Sequence, residues 1–107
     1  MARTHRKSLA SALPPEEVLD RFRQLVSEKG WMVVSEDEVT VQARSGTTLR
    51  SAGEDMAVSV RPDHGSSQVD LVVTPRLGRL QVVDWGEGSM FAREIAERLE
   101  AVASPRG

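Results

Sequence analysis

From Pro14 onward, apolar residues recur in two rhythms, and each rhythm predicts an element. Val18, Leu19, Phe22, Leu25 and Val26 fall at i, i+1, i+4, i+7 and i+8, a single stripe at helical period. Pro14-Pro15 pre-sets the first turn, and Glu16 and Glu17 sit at the positive end of the helix. Lys29-Gly30 supplies a basic last turn and a glycine cap, so the pattern predicts a first helix that stops at Gly30. Trp31-Met32-Val33-Val34 is then a short run of strand formers. After the acidic turn Ser35-Glu36-Asp37-Glu38, the segment from Val39 to Arg44 is apolar at every second position. The two read as a hairpin with one covered face.

Residues 45–53 are small and polar, a loop or a weak edge strand. Met56, Val58 and Val60 point one way, with Ala57, Ser59 and Arg61 the other. Pro62 to Ser67 is turn chemistry. Val69, Leu71 and Val73 alternate with Asp70 and Thr74, although Val72 breaks the polar face. Pro75 and Gly78 bracket a bend around Arg76-Leu77, and Leu80 to Val83 reads as a last strand. Gly86 to Ser89 opens a final helix with Ser89 as its N-cap. Phe91, Ile95, Leu99 and Val102 form that helix's buried stripe, and Glu94 with Arg98 makes an i,i+4 ion pair.

The predicted order is helix, four or five antiparallel strands, helix. Every strand connection is short enough for a hairpin, which disfavours a parallel crossover. Two amphipathic helices and one sheet with an apolar face give an α+β, two-layer sandwich with both helices on one face. Thr40, Gln42, Arg44, Ser59, Arg61, Asp70 and Thr74 occupy the opposite face, ready for water or a polar partner. Residues 14–103 form this single domain, between a disordered basic arm at 1–13 and a frayed C-terminus at 104–107.

Composition narrows the picture. Hydrophobic residues make up 39% and charged residues 28% of the 107 positions, an ordinary globular balance for one domain. The formal charge of −2 hides an asymmetry. Arg3, Arg6 and Lys7 make the arm basic, and the body that follows is acidic, a poor nucleic-acid surface. There is no cysteine, which removes disulfides, thiolate chemistry and finger-type zinc sites and is compatible with a cytoplasmic setting. No apolar run reaches the roughly 20 residues that cross a bilayer, so no membrane insertion is expected.

Several short motifs carry a family resemblance. Gly30-Trp31 closes the first helix, Glu54-Asp55 precedes the Met56-to-Val60 strand, and Gly65-Ser66-Ser67-Gln68-Val69-Asp70 opens the next. Pro75-Arg76-Leu77-Gly78 and Asp84-Trp85-Gly86 follow. Over about residues 15–102 this resembles a widespread bacterial domain-of-unknown-function family, the fourteen-ninety-nine family. The chain departs from that pattern in having Trp85 where the family has a smaller apolar residue, Gly88 or Ser89 where it has an Asn, and Pro75-Arg76 for Ser-Arg. The resemblance implies a shared architecture; the family supplies no activity.

Candidate chemistry is sparse. His5 and His64 are far apart in sequence, and His64 with Asp63 provides two adjacent turn residues where a metal needs three or four converging ligands. Ser66, Ser67 and Ser89 lack a base and an orienting partner other than His64. Gly86-Glu87-Gly88-Ser89 resembles a phosphate turn, but Glu87 would repel a phosphate and no lysine follows. Glu54, Asp55, Asp70 and Asp84 are the available carboxylates. Asp84, Gly86, Ser89 and Arg76 read as a structural junction, with Asp84 and Arg76 as a candidate ion pair across the last bend. Trp31, Trp85, Phe22 and Phe91 are all the aromatics; they either plug the open ends of the sandwich or line a small apolar cavity between helices and sheet.

The expectation is therefore a non-enzymatic module with no catalytic residues, no metal and no cofactor. It binds a protein partner or a second copy of itself and no nucleic acid. A carrier of a small apolar ligand is the alternative, and a hydrolase or isomerase using Asp84, Glu87 and Asp70 is the third.

Overall fold

The computed structural model describes residues 4–46, 53–75 and 87–103. Its elements run β1 (His5–Ser11), α1 (Pro15–Lys29), β2 (Met32–Glu36), β3 (Thr40–Arg44), β4 (Glu54–Asp63), β5 (Ser66–Pro75), α2 (Glu87–Arg98) and β6 (Ala101–Ala103). All six strands belong to one sheet, ordered β2-β3-β4-β5-β1-β6, and every pairing is antiparallel.

The first helix forms as its sequence dictates. Val18, Leu19, Phe22, Leu25 and Val26 are all buried, and Pro15 opens the helix. Gly30 closes it in the left-handed region at φ 72, with its own N–H and that of Trp31 donating back to the carbonyls of Ser27 and Val26. That is a Schellman ending, which reverses the chain directly into β2. β4 and β5 are joined by the two residues His64 and Gly65, at φ 52 and 89, a turn that matches strand twist and needs positive φ at both positions.

Alternation along the strands sorts the sheet into two faces. Val41, Ala43, Met56, Val58, Val60, Val69, Leu71 and Val73 are buried on one of them, together with Leu9. α1 lies over β3, β4 and β5 on that face and runs directly into β2 at its end, and α2 lies over β5, β1 and β6. The two-layer α+β arrangement with both helices on one side is thus present, with Ala92, Ile95 and Leu99 of α2 completing the core.

Four expectations need correction. Residues 1–13 are not wholly a disordered arm, because His5–Ser11 form β1 and sit between β5 and β6 with Leu9 buried opposite Val69. The described residues already hold six strands where four or five were expected, and a strand precedes the first helix. α2 stops at Arg98, and the chain turns at Glu100 (φ 52) into β6, which leaves Val102 68% exposed instead of buried under a helix. Finally, α2 starts at Glu87, so Ser89 lies within its first turn rather than at the cap. Residues 47–52, the Arg76-to-Gly86 bend with its expected strand, and residues 104–107 fall outside the described residues.

Charge pairing also differs from the single-helix pattern. Arg98 turns away from Glu94 and bonds Glu28 of α1, with Nη2 to Oε1 at 3.1 Å. Glu94 instead meets Lys29 at 2.5 Å, and Arg21 meets Glu100 at 2.8 Å. These pairs run along the seam between the helices and fix their alignment more than their affinity, since exposed ion pairs are worth little individually.

The Arg98 hydrogen bond lowers the Glu28 pKa below the ordinary carboxylate value. A carboxylate with a depressed folded pKa stabilises above its unfolded pKa, and that contribution is lost as pH falls through the folded value. We therefore expect Glu28→Gln to unfold slightly more readily than the native chain at neutral pH. The gap should close as pH falls below the carboxylate range, read by thermal unfolding at matched salt.

Candidate functional site

The helix side of the sheet is packed. Phe22, Leu25, Ile95 and Leu99 are fully buried against it. Two buried serines secure its end. Ser11 Oγ donates to the Leu99 carbonyl at 2.8 Å and accepts from the Leu13 N–H at 3.2 Å, while Ser67 Oγ, across the ladder from Ser11, donates to the Leu13 carbonyl at 2.7 Å. Sequence reading missed Ser11 in this role, and the only available signal was its place two residues after Leu9 on the same strand face. Ser11→Ala removes the acceptor for one buried group and the donor for another, and we expect it to cost about 1–3 kcal/mol by denaturant unfolding.

The candidate chemistry disperses. Ser66 donates to the Asp63 carbonyl and Ser67 to Leu13, so both hydroxyls are committed to backbone. His64 is an exposed turn residue. Glu54 and Asp55 are neighbours in a strand and therefore point to opposite faces. Glu54 is 2% exposed on the helix side, where its N–H donates to Ser45 Oγ at 2.7 Å. Asp55 lies on the outer side and accepts from Arg44 Nε at 2.9 Å. Asp70 is also on the outer side, accepting from Ser8 at 3.4 Å and lying 3.9 Å from Arg61. Among the described residues, no three histidines, cysteines or carboxylates converge on a metal position.

The aromatic candidates divide in three. Trp31 and Phe91 meet edge to face, with centroids 5.3 Å apart at 88°, where the end of α1 faces the start of α2. Phe22 is core. Trp85, with Asp84, Gly86 and Arg76 of the expected junction, lies outside the described residues, as does any Asp84–Arg76 pair. The side chain of Ser89 is not described either.

The outer face carries small and polar side chains in rows across the strands. Thr40, Ser59, Asp70 and Ser8 form one such row in register, tied by a 3.0 Å Thr40–Ser59 hydrogen bond. Two shallow clefts open there: one of about 220 Å³ beside Val34, Gln42, Arg44 and Ala57, the other of about 400 Å³ beside Arg6, Ser8, Ser59 and Asp70.

The feature that stands apart is the β2–β3 hairpin. β2 is the terminal strand of the sheet, and every one of its five residues is exposed. Among the described residues, the large exposed hydrophobics are Met32 (67%), Val33 (38%), Val34 (47%), Val39 (49%) and Val102. All but the last fall within eight consecutive positions. The register places Met32 beside Arg44 on the outer face and Val33 beside Ala43 on the helix face, and a bulge between Val33 and Ser35 adds Val34 to the outer cleft. The sequence showed this apolar run, but nothing in it told that α1 would leave the run uncovered.

No family model matches the chain, and no curated protein matches it. Among solved structures it is similar to Ara h 8.0201, with a TM-score of 0.59 at 11% identity, over 94% of this chain and 96% of that one. It is also matched to TTHA0849 from Thermus thermophilus, with a TM-score of 0.45 at 14% identity, over 92% and 86% of the two chains. The first likeness shows a shared fold of helices over an antiparallel sheet. At that identity it carries no chemistry across.

Proposed function

We propose that this chain is a non-enzymatic binding domain that engages a protein partner through the β2–β3 edge of its sheet. The observation that carries the reading is the gathering of exposed Met32, Val33 and Val34 on the terminal strand β2, with exposed Val39 in the turn that leaves it. Scattered exposed hydrophobics are normal, but a cluster of them on an edge with open backbone groups marks an interaction site. Strand addition uses such an edge, with the backbone giving affinity and alternate side chains giving specificity. Membership of the fourteen-ninety-nine family and a cytoplasmic setting belong to the same proposal, and neither adds an activity to it.

The test is a photo-crosslinking amino acid at Val39, with an identical probe at Gln24 on the exposed side of α1 as reference. Specific capture of a protein from Val39 and not from Gln24 supports the reading. Equal capture from both positions, or none from Val39, removes it.

A second reading is a carrier of a small apolar ligand between the helices and the sheet. Its support is the helix-over-sheet layout and the half-buried Trp31–Phe91 contact at the mouth between α1 and α2. Against it stands the burial of Phe22, Leu25, Ile95 and Leu99 in one core cluster. Fatty acids or lysolipids should shift tryptophan emission if it holds and leave it unchanged if it does not.

A further inference from the structure

Resting on the edge-binding reading, we propose that Met32 is an oxidation site that regulates the edge. A hydroperoxide converts its thioether to the sulfoxide and turns the apolar start of β2 polar. Three observations lead there.

The first is access. Of the two methionines whose side chains are described, Met32 is 67% exposed and Met56 2%. The sulfur must reach the peroxide oxygen, so the exposed thioether reacts first. In the step, a sulfur lone pair attacks the outer peroxide oxygen. The S–O bond forms as the O–O bond breaks, and the transferred hydroxyl passes its proton to the departing oxygen, which leaves as water or an alcohol. Sulfur is oxidised by two electrons and the peroxide is reduced by the same two.

The second is place. Met32 is the first residue of β2 and stands on the outer face in register with Arg44. Directly paired side chains lie about 5 Å apart at Cβ. Arg44 Nε donates to Asp55 Oδ1 at 2.9 Å, and a guanidinium has further N–H groups to offer. A thioether is a weak acceptor and a sulfoxide oxygen a strong one, so the oxidised side chain has a donor beside it on its own face. Met56 instead pairs with Ala43 on the helix face, and its sulfoxide would set a polar oxygen in the core. Oxidation at Met32 therefore changes the surface and spares the fold, which is what separates regulation from damage.

The third is what the edge loses. Met32 is the most exposed of the three hydrophobic residues on β2. Its unbranched, polarisable side chain adapts to irregular apolar surfaces, and the sulfoxide does not. A partner seated on the edge would bury an S=O group in place of a thioether, which should weaken binding about tenfold.

The experiment treats the full chain with hydrogen peroxide and follows each methionine by peptide mass spectrometry. Hydrophobic-interaction chromatography and circular dichroism are run on the same samples. Met32 should oxidise at least about tenfold faster than Met56, and the product should elute earlier with an unchanged spectrum. Met32→Leu should elute as the native chain does and stay there after peroxide. Met32→Gln should elute early without any. Met56 reacting as fast as Met32, an elution unmoved once Met32 is fully oxidised, or the same shift in peroxide-treated Met32→Leu overturns the proposal. The Val39 probe separates its failure from that of the edge reading. Capture that falls about tenfold on oxidation, and in Met32→Gln, supports both. Capture undiminished by oxidation removes the regulation and leaves edge binding standing, whereas no capture from the untreated chain removes both.

Discussion

Deleting residues 1–11 will abolish the cooperative unfolding transition of this domain. β1 lies inside the sheet, bonded to β5 along His5–Ser11 and to β6 along Leu9–Ser11. Its removal strips a neighbour from Ser67–Val73 of β5, detaches β6, uncovers Val69 and Leu71, and deletes the Ser11 anchor to Leu99. A domain of this size holds a net stability of only about 5–15 kcal/mol, and losing a central strand exceeds what such a margin absorbs. Leu9→Asp in the full chain should act the same way by placing a carboxylate in the core opposite Val69. Replacing the exposed Arg6 and Lys7 by serine should leave the fold within about 1 kcal/mol of native, since surface changes are small. Thermal unfolding followed by circular dichroism distinguishes these outcomes. A truncated chain that still unfolds cooperatively would mean that the basic segment is a dispensable tail after all.

Phe22→Ala carries the second largest effect. Phe22 is fully buried at the centre of the α1 stripe, among the residues that cover the sheet. Truncating a buried phenylalanine loses its transfer free energy and leaves a cavity, together costing about 3–5 kcal/mol. For roughly 100 residues that corresponds to a fall of about 12–40 °C in the melting midpoint, at several degrees per kcal/mol. Gln24→Ala, two positions along on the exposed side of the same helix, should stay within about 0.5 kcal/mol. If the two substitutions cost alike, the helix does not dock through the face described.

What the sequence made legible follows from where its periodicity was clean. α1 and the paired strands β4 and β5 declare themselves, because five helical positions and two runs of strict alternation face one core. β1 was hidden for a physical reason. Among its described side chains Leu9 and Ser11 are the buried ones, and the core-side position before them, Lys7 opposite Leu71, is exposed. With one buried hydrophobe in seven residues, alternation has nothing to show, and the arginine and lysine read as solvent-facing. β6 was hidden inside an apparent helical stripe, since Val102 keeps the spacing of Ile95 and Leu99 although Glu100 has already left the helix.

The candidate site was less legible than the fold. Glu54 and Asp55 look like a catalytic pair on paper and are divided by the sheet between its two faces. Glu94 and Arg98 have the spacing of an intrahelical pair, yet each finds an opposite charge on α1. Both misreadings come from judging by sequence neighbours what tertiary neighbours decide. The apolar run at Met32–Val34 was visible, but its meaning depends on which strands α1 and α2 cover, and that is a property of the assembled layers.

Backbone amide hydrogen exchange on the dilute native chain tests the central claim most directly, because it reads strand neighbours one residue at a time. An open edge at β2 and an interior position for β1 predict strong protection across Leu9, Ala10 and Ser11 and along β4 and β5, with fast exchange at the outward amides of residues 32–36. Rapid exchange throughout residues 5–11, or protection of both sides of residues 32–36 in a monomer, would contradict it.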